Sequence, residues 1–185
     1  MLSESILTFV SVYAPQSGLD ESEKDAFYDL VQEIVSNIPN NEIVFPCGDW
    51  NGHIGDDSIG FEGIHGGNSF GQRNPEGLRL LDFAIANEFV VGNSFFTKRE
   101  SHIVTYESGS NKSVVDYILV KKHHLKLVKD IKVIPSEEAV PQHKLLVCEI
   151  VIPKPKVEKR KFIPRLKSWK LREPATKELF EKKIQ

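Results

Sequence analysis

A carboxylate and an amide stand two residues apart at Asp49 and Asn51, directly after the apolar run Glu42-Ile43-Val44-Phe45-Pro46-Cys47. Side chains two apart on a strand point to the same side, so at a strand tip this pair offers both groups to one point. Asp116 lies inside Val114-Val115-Asp116-Tyr117-Ile118-Leu119-Val120, where an ionised carboxylate is costly unless a partner compensates it. His143, at the mouth of the last predicted strand, is the partner this reading selects. A carboxylate behind an imidazole fixes its tautomer and favours the protonated form. A His-Asp pair beside an Asp/Asn pair suits water-mediated attack on phosphorus.

Taken singly, each group has an ordinary explanation: a strand-end Asp forms turns, and a mid-strand Asp can be a satisfied structural group. Their joint occurrence carries the reading. In chain order the segments are Tyr13-Ala14-Pro15, Gly48-Asp49-Trp50-Asn51, Val104-Thr105-Tyr106, Val115-Asp116-Tyr117 and Gln142-His143.

The elements that must hold these groups follow from periodicity. Ile6 to Tyr13 reads as a strand buried on both faces. Phe27, Leu30, Val31, Ile34, Val35 and Ile38 recur at helical spacing, with Asp20 or Ser22 as cap and Pro39 as stop. Glu42 to Cys47 is a second buried strand carrying Pro46 near its end. Asn51 to Pro75 is a Gly-rich loop, long enough to be expected on the substrate side. Glu76 to Glu88 forms a shorter helix and Phe89 to Gly92 a short strand. Val104 to Glu107 and Val114 to Val120 read as a hairpin about Ser108-Gly109-Ser110-Asn111, and Leu125 to Ile134 and Leu145 to Ile152 as two more strands. The expectation is a mixed α/β layered domain over residues 1–153.

Composition agrees with one globular domain. Of 185 residues, 40% are hydrophobic and 27% charged, which excludes collagen-like, mucin-like and fully disordered chains. The net charge of −2 hides a division: residues 1–153 carry 12 basic and 22 acidic side chains, and residues 154–185 carry 12 and 4. Pro153-Lys154-Pro155-Lys156 marks the boundary, and Lys159-Arg160-Lys161 follows. Residues 154–185 therefore read as a basic linker with a terminal helix over Pro174 to Ile184, suited to phosphates or simply to water. Cys47 and Cys148 each sit in an apolar run and read as small core residues of a reducing compartment, nucleus or cytoplasm. No apolar window has the length of a membrane span, and no signal-peptide pattern opens the chain, so no membrane partner is expected. His123-His124, His53, His65 and Cys47 match no zinc spacing, and the Gly60 to Gly71 loop lacks the Lys-Ser/Thr of a P-loop.

The five segments resemble, in order and spacing, the endonuclease/exonuclease/phosphatase superfamily. Ser11-Val12-Tyr13-Ala14-Pro15, Arg79-Leu80-Leu81-Asp82-Phe83-Ala84, Val115 to Val120 and Gln142-His143-Lys144-Leu145-Leu146 look most like its RTE-clade non-LTR retrotransposon endonucleases and their relatives called craniofacial development protein two-like. The resemblance implies part of a four-layered α/β/β/α sandwich of the DNase type, with DNA as substrate and Mg²⁺, or Mn²⁺ in its place, as cofactor. It implies that Asp49 orients or deprotonates the attacking water and Asn51 holds a phosphate oxygen. Tyr13 would touch the phosphate or leaving group, and His143, held by Asp116, would stabilise the charge building on phosphorus. Thr105 and Tyr106 would line and buttress the substrate site, and Asp49, Asn51 and Gln142 would face the metal. Residues 154–185, with Arg160-Lys161-Phe162 and Trp169-Lys170-Leu171, resemble the connector to a reverse transcriptase domain.

Two features depart from the family. Its first half, with the Glu that is the principal metal ligand, should precede Tyr13, yet only twelve residues do. Gln142 stands where most members have Asp. The expectation is thus a DNA-nicking domain of a LINE-type element, a truncated fragment lacking its N-terminal half. The alternative is a domesticated, non-catalytic interaction module. Loss of half a sandwich should leave an apolar face or strand edge uncovered.

Overall fold

The computed structural model describes residues 6–152, 170 and 172–184. Met1–Lys154 and Pro155–Gln185 form two compact units. In the first, β1 (Leu7–Tyr13), α1 (Glu21–Asn37), β2 (Ile43–Asp49), α2 (Pro75–Ala86) and β3 (Phe89–Val91) are followed by β4 (Tyr106–Ser108), β5 (Asn111–Ser113), β6 (Asp116–Lys121), β7 (Val128–Val140) and β8 (His143–Ile150). The second contains α3 (Pro174–Ile184); Lys159-Arg160-Lys161, Phe162, Trp169 and Leu171 lie outside the described residues.

The strands form two sheets, ordered β1-β2-β6-β3 and β5-β4-β8-β7. Alternation along the first sheet builds two cores from one set of strands. Val12, Val44, Tyr117, Leu119 and Val91 join the helices through Val31, Leu80 and Phe83. Ile43, Phe45, Ile118, Val120 and Val90 join Val128 and Ile131 of the second sheet and the flanking Leu146 and Cys148. The central strands β2 and β6 must therefore be apolar on both faces, and they are so, as is the short strand β3 at the sheet's end. Pro46 is tolerated in β2 because β6 begins to pair only at Cys47, so its missing N–H breaks no ladder on that side.

Four elements differ from the sequence reading. β1 is not buried on both faces: it is an edge strand, Phe9 stacks on Phe45 at 5.4 Å yet stays 62% exposed, and Tyr13 is 69% exposed. Phe9 and Tyr13 thus place exposed aromatic surface along this sheet edge. Residues 114–120 do not pair back onto 104–107. The hairpin is confined to β4 and β5, and β6 crosses into the other sheet between β2 and β3. Residues 122–127 form a 3-10 turn, and β7 runs on to Val140 through two irregularities opposite β8. No helix among the described residues is long and apolar enough to cross a membrane.

Candidate active site

The site is assembled where the C-terminal end of β2 meets the start of β6 and β8. Antiparallel pairing sets Asp49 directly opposite Asp116, and parallel pairing sets Tyr13 opposite Asp49. β4 pairs with β8 through Tyr106 and His143. Residues distant in sequence thus converge because they occupy equivalent register positions.

Asp49 accepts a hydrogen bond from the Asn51 amide at 2.8 Å, closing a turn that holds Asn51 in the left-handed region at φ 47°. Asn51 Nδ2 donates to Ala14 O at 2.7 Å, which locks the β2 tip to the end of β1 and leaves Oδ1 for a ligand. Burial pushes the Asp49 carboxyl above the ordinary range. The Asn51 amide opposes this, the Asp116 charge adds to it, and His143 counteracts it. Behind Asp116, His143 Nδ1 lies 3.0 Å from Asp116 Oδ2, so Nε2 is the nitrogen left for a substrate. Tyr106 packs edge-on to the imidazole at 4.9 Å between ring centroids.

Thr105 supports these groups from the interior. It is fully buried, its Oγ1 accepts from the amides of Val115 and Asp116 at 3.1 Å each, and its carbonyl accepts from the Lys144 amide at 2.7 Å. The expectation that Thr105 binds substrate is therefore corrected: two sheet segments close over its hydroxyl. Gln142 is likewise engaged. Its Oε1 accepts from the Tyr106 hydroxyl at 3.0 Å and its Nε2 donates to Ser108 Oγ at 3.1 Å.

A cleft of about 480 Å³ joins Tyr13, Asp49, Asn51, Tyr106, Gln142 and His143 to Gln16, Ser17, His53 and Asn74, which the sequence reading did not select. The second wall is built by the 52–54 segment lying across the start of α2. Asn74 caps α2 by accepting from Gly77 N at 2.8 Å, and the same oxygen accepts from His53 N at 2.9 Å. The approach is so close that a Cβ on Gly77 would overlap the His53 carbonyl. The buried Tyr117 hydroxyl lies 2.6 Å from Val114 O and 3.0 Å from Gly52 O, tying this wall to β6. An Asn-Pro pair before an apolar helix was the readable cap signal; nothing in local pattern marked His53. Burial holds the His53 ring below the usual imidazole range. An adjoining apolar cleft of about 420 Å³ opens between the sheets beside Tyr13, Asp49 and His143.

The donor set does not by itself make a divalent-cation site. One Asp49 oxygen is bound to the Asn51 amide, Asp116 is bound to His143, and the Gln142 oxygen is taken by Tyr106. Among the described residues no three His, Cys, Asp or Glu side chains are placed to hold a metal ion, whereas hard cations require several oxygen ligands.

Two packed sheets with helices on one form a layered α/β fold of the endonuclease/exonuclease/phosphatase type, and known structures share it. The 3'-5' exonuclease NExo from Neisseria meningitidis superposes with a TM-score of 0.55 at 14% identity, over 77% of this chain and 60% of that one. A structure of NExo described as a 3' phosphatase bound to product DNA hairpin gives 0.53 at 12% identity, over 78% and 61%. The APE2 catalytic domain of Xenopus laevis gives 0.51 at 19% identity, over 85% and 55%. The chain has the fold of these proteins. In sequence it is similar to craniofacial development protein 2 of Tragulus javanicus and of Bos taurus. Identity is 30% over 161 residues in each case, 86% of this chain but only 27% and 26% of those proteins. The chain spans about a quarter of the length of these curated relatives. No family model matches it.

Proposed function

We propose that the chain is the His143-bearing part of a DNA phosphodiesterase, the nicking domain of a LINE-type retrotransposon protein. The observation that carries this reading is the Asp116–His143 pair, 3.0 Å apart, facing the Asp49–Asn51 tip across one cleft. Asp49 orients or deprotonates the attacking water, and its raised pKa suits a base working nearer neutrality. Asn51 binds a non-bridging phosphate oxygen, and Tyr13 meets the leaving side. His143 Nε2 donates to the phosphate as charge builds, with Asp116 holding the ring in place.

DNA as substrate is supported by the NExo complex with a product DNA hairpin, and the basic composition of residues 154–185 suits a polyanion. Mg²⁺, or Mn²⁺, would face Asp49 and Asn51 and would neutralise charge at the phosphate, and no step above runs through the ion. Residues 154–185 lead toward a reverse transcriptase, and the protein works in the nucleus or cytoplasm. Incubation of the chain with supercoiled plasmid and Mg²⁺ tests the reading: open-circle product should form, and should be lost in Asp49→Ala and His143→Ala. Product formation that both variants retain would sink it.

One observation favours a second reading, a non-catalytic interaction module of the same fold: the described residues offer no complete cation site. That reading predicts oligonucleotide binding without cleavage at any Mg²⁺ or Mn²⁺ concentration.

A further inference from the structure

Gln142 is a polar side chain of the cleft to which the proposed hydrolysis gives no task, yet it is held from three directions. Its backbone is left-handed at φ 74°, a conformation that L-residues with a Cβ rarely adopt. Its carbonyl accepts from the Glu107 amide at 2.9 Å, its Oε1 from the Tyr106 hydroxyl at 3.0 Å, and its Nε2 donates to Ser108 Oγ at 3.1 Å. All three partners belong to β4, the strand that reaches β8 through Tyr106 and His143.

The contact chain continues from Tyr106 to His143. The phenol ring meets the imidazole edge-on, at 4.9 Å and 67°, while Asp116 holds Nδ1. The carboxylate fixes the ring at one atom only, which leaves rotation about that hydrogen bond unopposed unless a neighbour bears on the ring itself. Tyr106 is that neighbour, and it is only partly buried. Its own orientation needs an anchor at the hydroxyl, and Gln142 Oε1 is the acceptor present.

We infer that Gln142 is a positioning residue: by accepting from the Tyr106 hydroxyl it holds that ring against His143 and so fixes the imidazole between Tyr106 and Asp116. What matters at this position is an acceptor at the reach of a three-carbon side chain. Glu retains it, Met keeps the length but not the acceptor, and Asp stops one methylene short. The role bears on phosphate binding only if the proposed function holds, but its test does not depend on catalysis.

The test is the ring-current shift of the His143 Cδ2 and Cε1 protons in the intact chain, read by ¹H–¹³C NMR. Wild type and Tyr106→Ala, which removes the ring, define the two extremes. Gln142→Met and Tyr106→Phe should each move the His143 signals most of the way toward the Tyr106→Ala position. The Gln142→Met/Tyr106→Phe pair should move them no further than either alone, and Gln142→Glu should stay near wild type. The inference falls if Gln142→Met leaves the signals at the wild-type position, or if Gln142→Glu moves them as far as Gln142→Met. Tyr106→Phe leaves residue 142 and its backbone untouched, so it decides the matter if a residue-142 variant does not fold: unchanged His143 signals in it also overturn the inference. Plasmid nicking is scored separately. No nicking with the expected shift pattern counts against the phosphodiesterase reading alone, and nicking with unmoved His143 signals counts against this inference alone.

Discussion

His143 and Asp116 are 27 residues apart and belong to different sheets, yet His143 Nδ1 stands 3.0 Å from Asp116 Oδ2. The pair is therefore a bridge between the two sheets as well as a candidate catalytic unit. Asp116→Asn keeps the side chain's shape but removes the negative charge that faces the His143 ring. Nicking should fall by roughly 10²–10⁴-fold, with the thermal transition little changed. A variant that nicks at the wild-type rate would show that the Asp116 charge is not used.

Asn51 is a second point where structure and chemistry share one residue. Its left-handed backbone suits Asn or Gly, and its Nδ2 holds Ala14 O at 2.7 Å. Asn51→Ala should destabilise the fold by about 2 kcal/mol, combining the backbone cost with one lost hydrogen bond. Asn51→Gly should recover the backbone share, and neither variant should nick DNA. Urea unfolding of the two side by side separates the contributions; equal midpoints would mean that φ carries no cost there.

Much of this site was legible in sequence because its members sit at strand ends, where a polar residue interrupts an apolar run. Asp49 and Asn51 stood out as polar groups two apart just after Ile43–Cys47, and Asp116 as a carboxylate inside the apolar run Val114–Val120. Strand partners were less legible. The turn at Gly109 announces a hairpin, but nothing local says that pairing stops at Ser113 and that β6 enters the other sheet, since its β-branched residues suit either one. Likewise β1 has the composition of a central strand, and it is an edge because no strand among the described residues pairs with its outer side. His53 and Asn74 are brought to the cleft by the path of the 51–74 loop, which has no periodicity to read.

That path depends on contact between backbone and backbone. A Cβ on Gly77 would overlap the His53 carbonyl, whereas nothing lies within 4 Å of a Cβ on Gly18. Gly77→Ala should therefore cost roughly 1–3 kcal/mol as the start of α2 is pushed from residues 52–54, and it should weaken oligonucleotide binding because Asn74 and His53 move with it. Gly18→Ala should be neutral or slightly stabilising. Chemical denaturation and fluorescence anisotropy with a labelled oligonucleotide would check both; equal stability of the two variants would mean that the loop yields without strain.

The same loop gives the fold an acid-sensitive point. His65 is 2% exposed, with Nε2 2.8 Å from Gly55 O and Nδ1 accepting from Gly67 N at 2.8 Å. These contacts require a neutral ring with its proton on Nε2, and burial holds the group below the usual imidazole pKa, with the Gly55 bond partly opposing this. Because the folded pKa lies below the unfolded one, the unfolded chain takes up the proton first on acidification. The stabilisation is complete above the unfolded value of about 6.5 and is lost as pH falls from there toward the folded pKa. One proton sets a limit of about 1.4 kcal/mol per pH unit on the slope. Urea midpoints from pH 8 to pH 5 should decline in wild type and decline less in His65→Asn. The remaining slope in that variant should come in part from His53 and His124, which burial shifts in the same direction. A wild-type midpoint that rises on acidification would contradict the neutral assignment of His65.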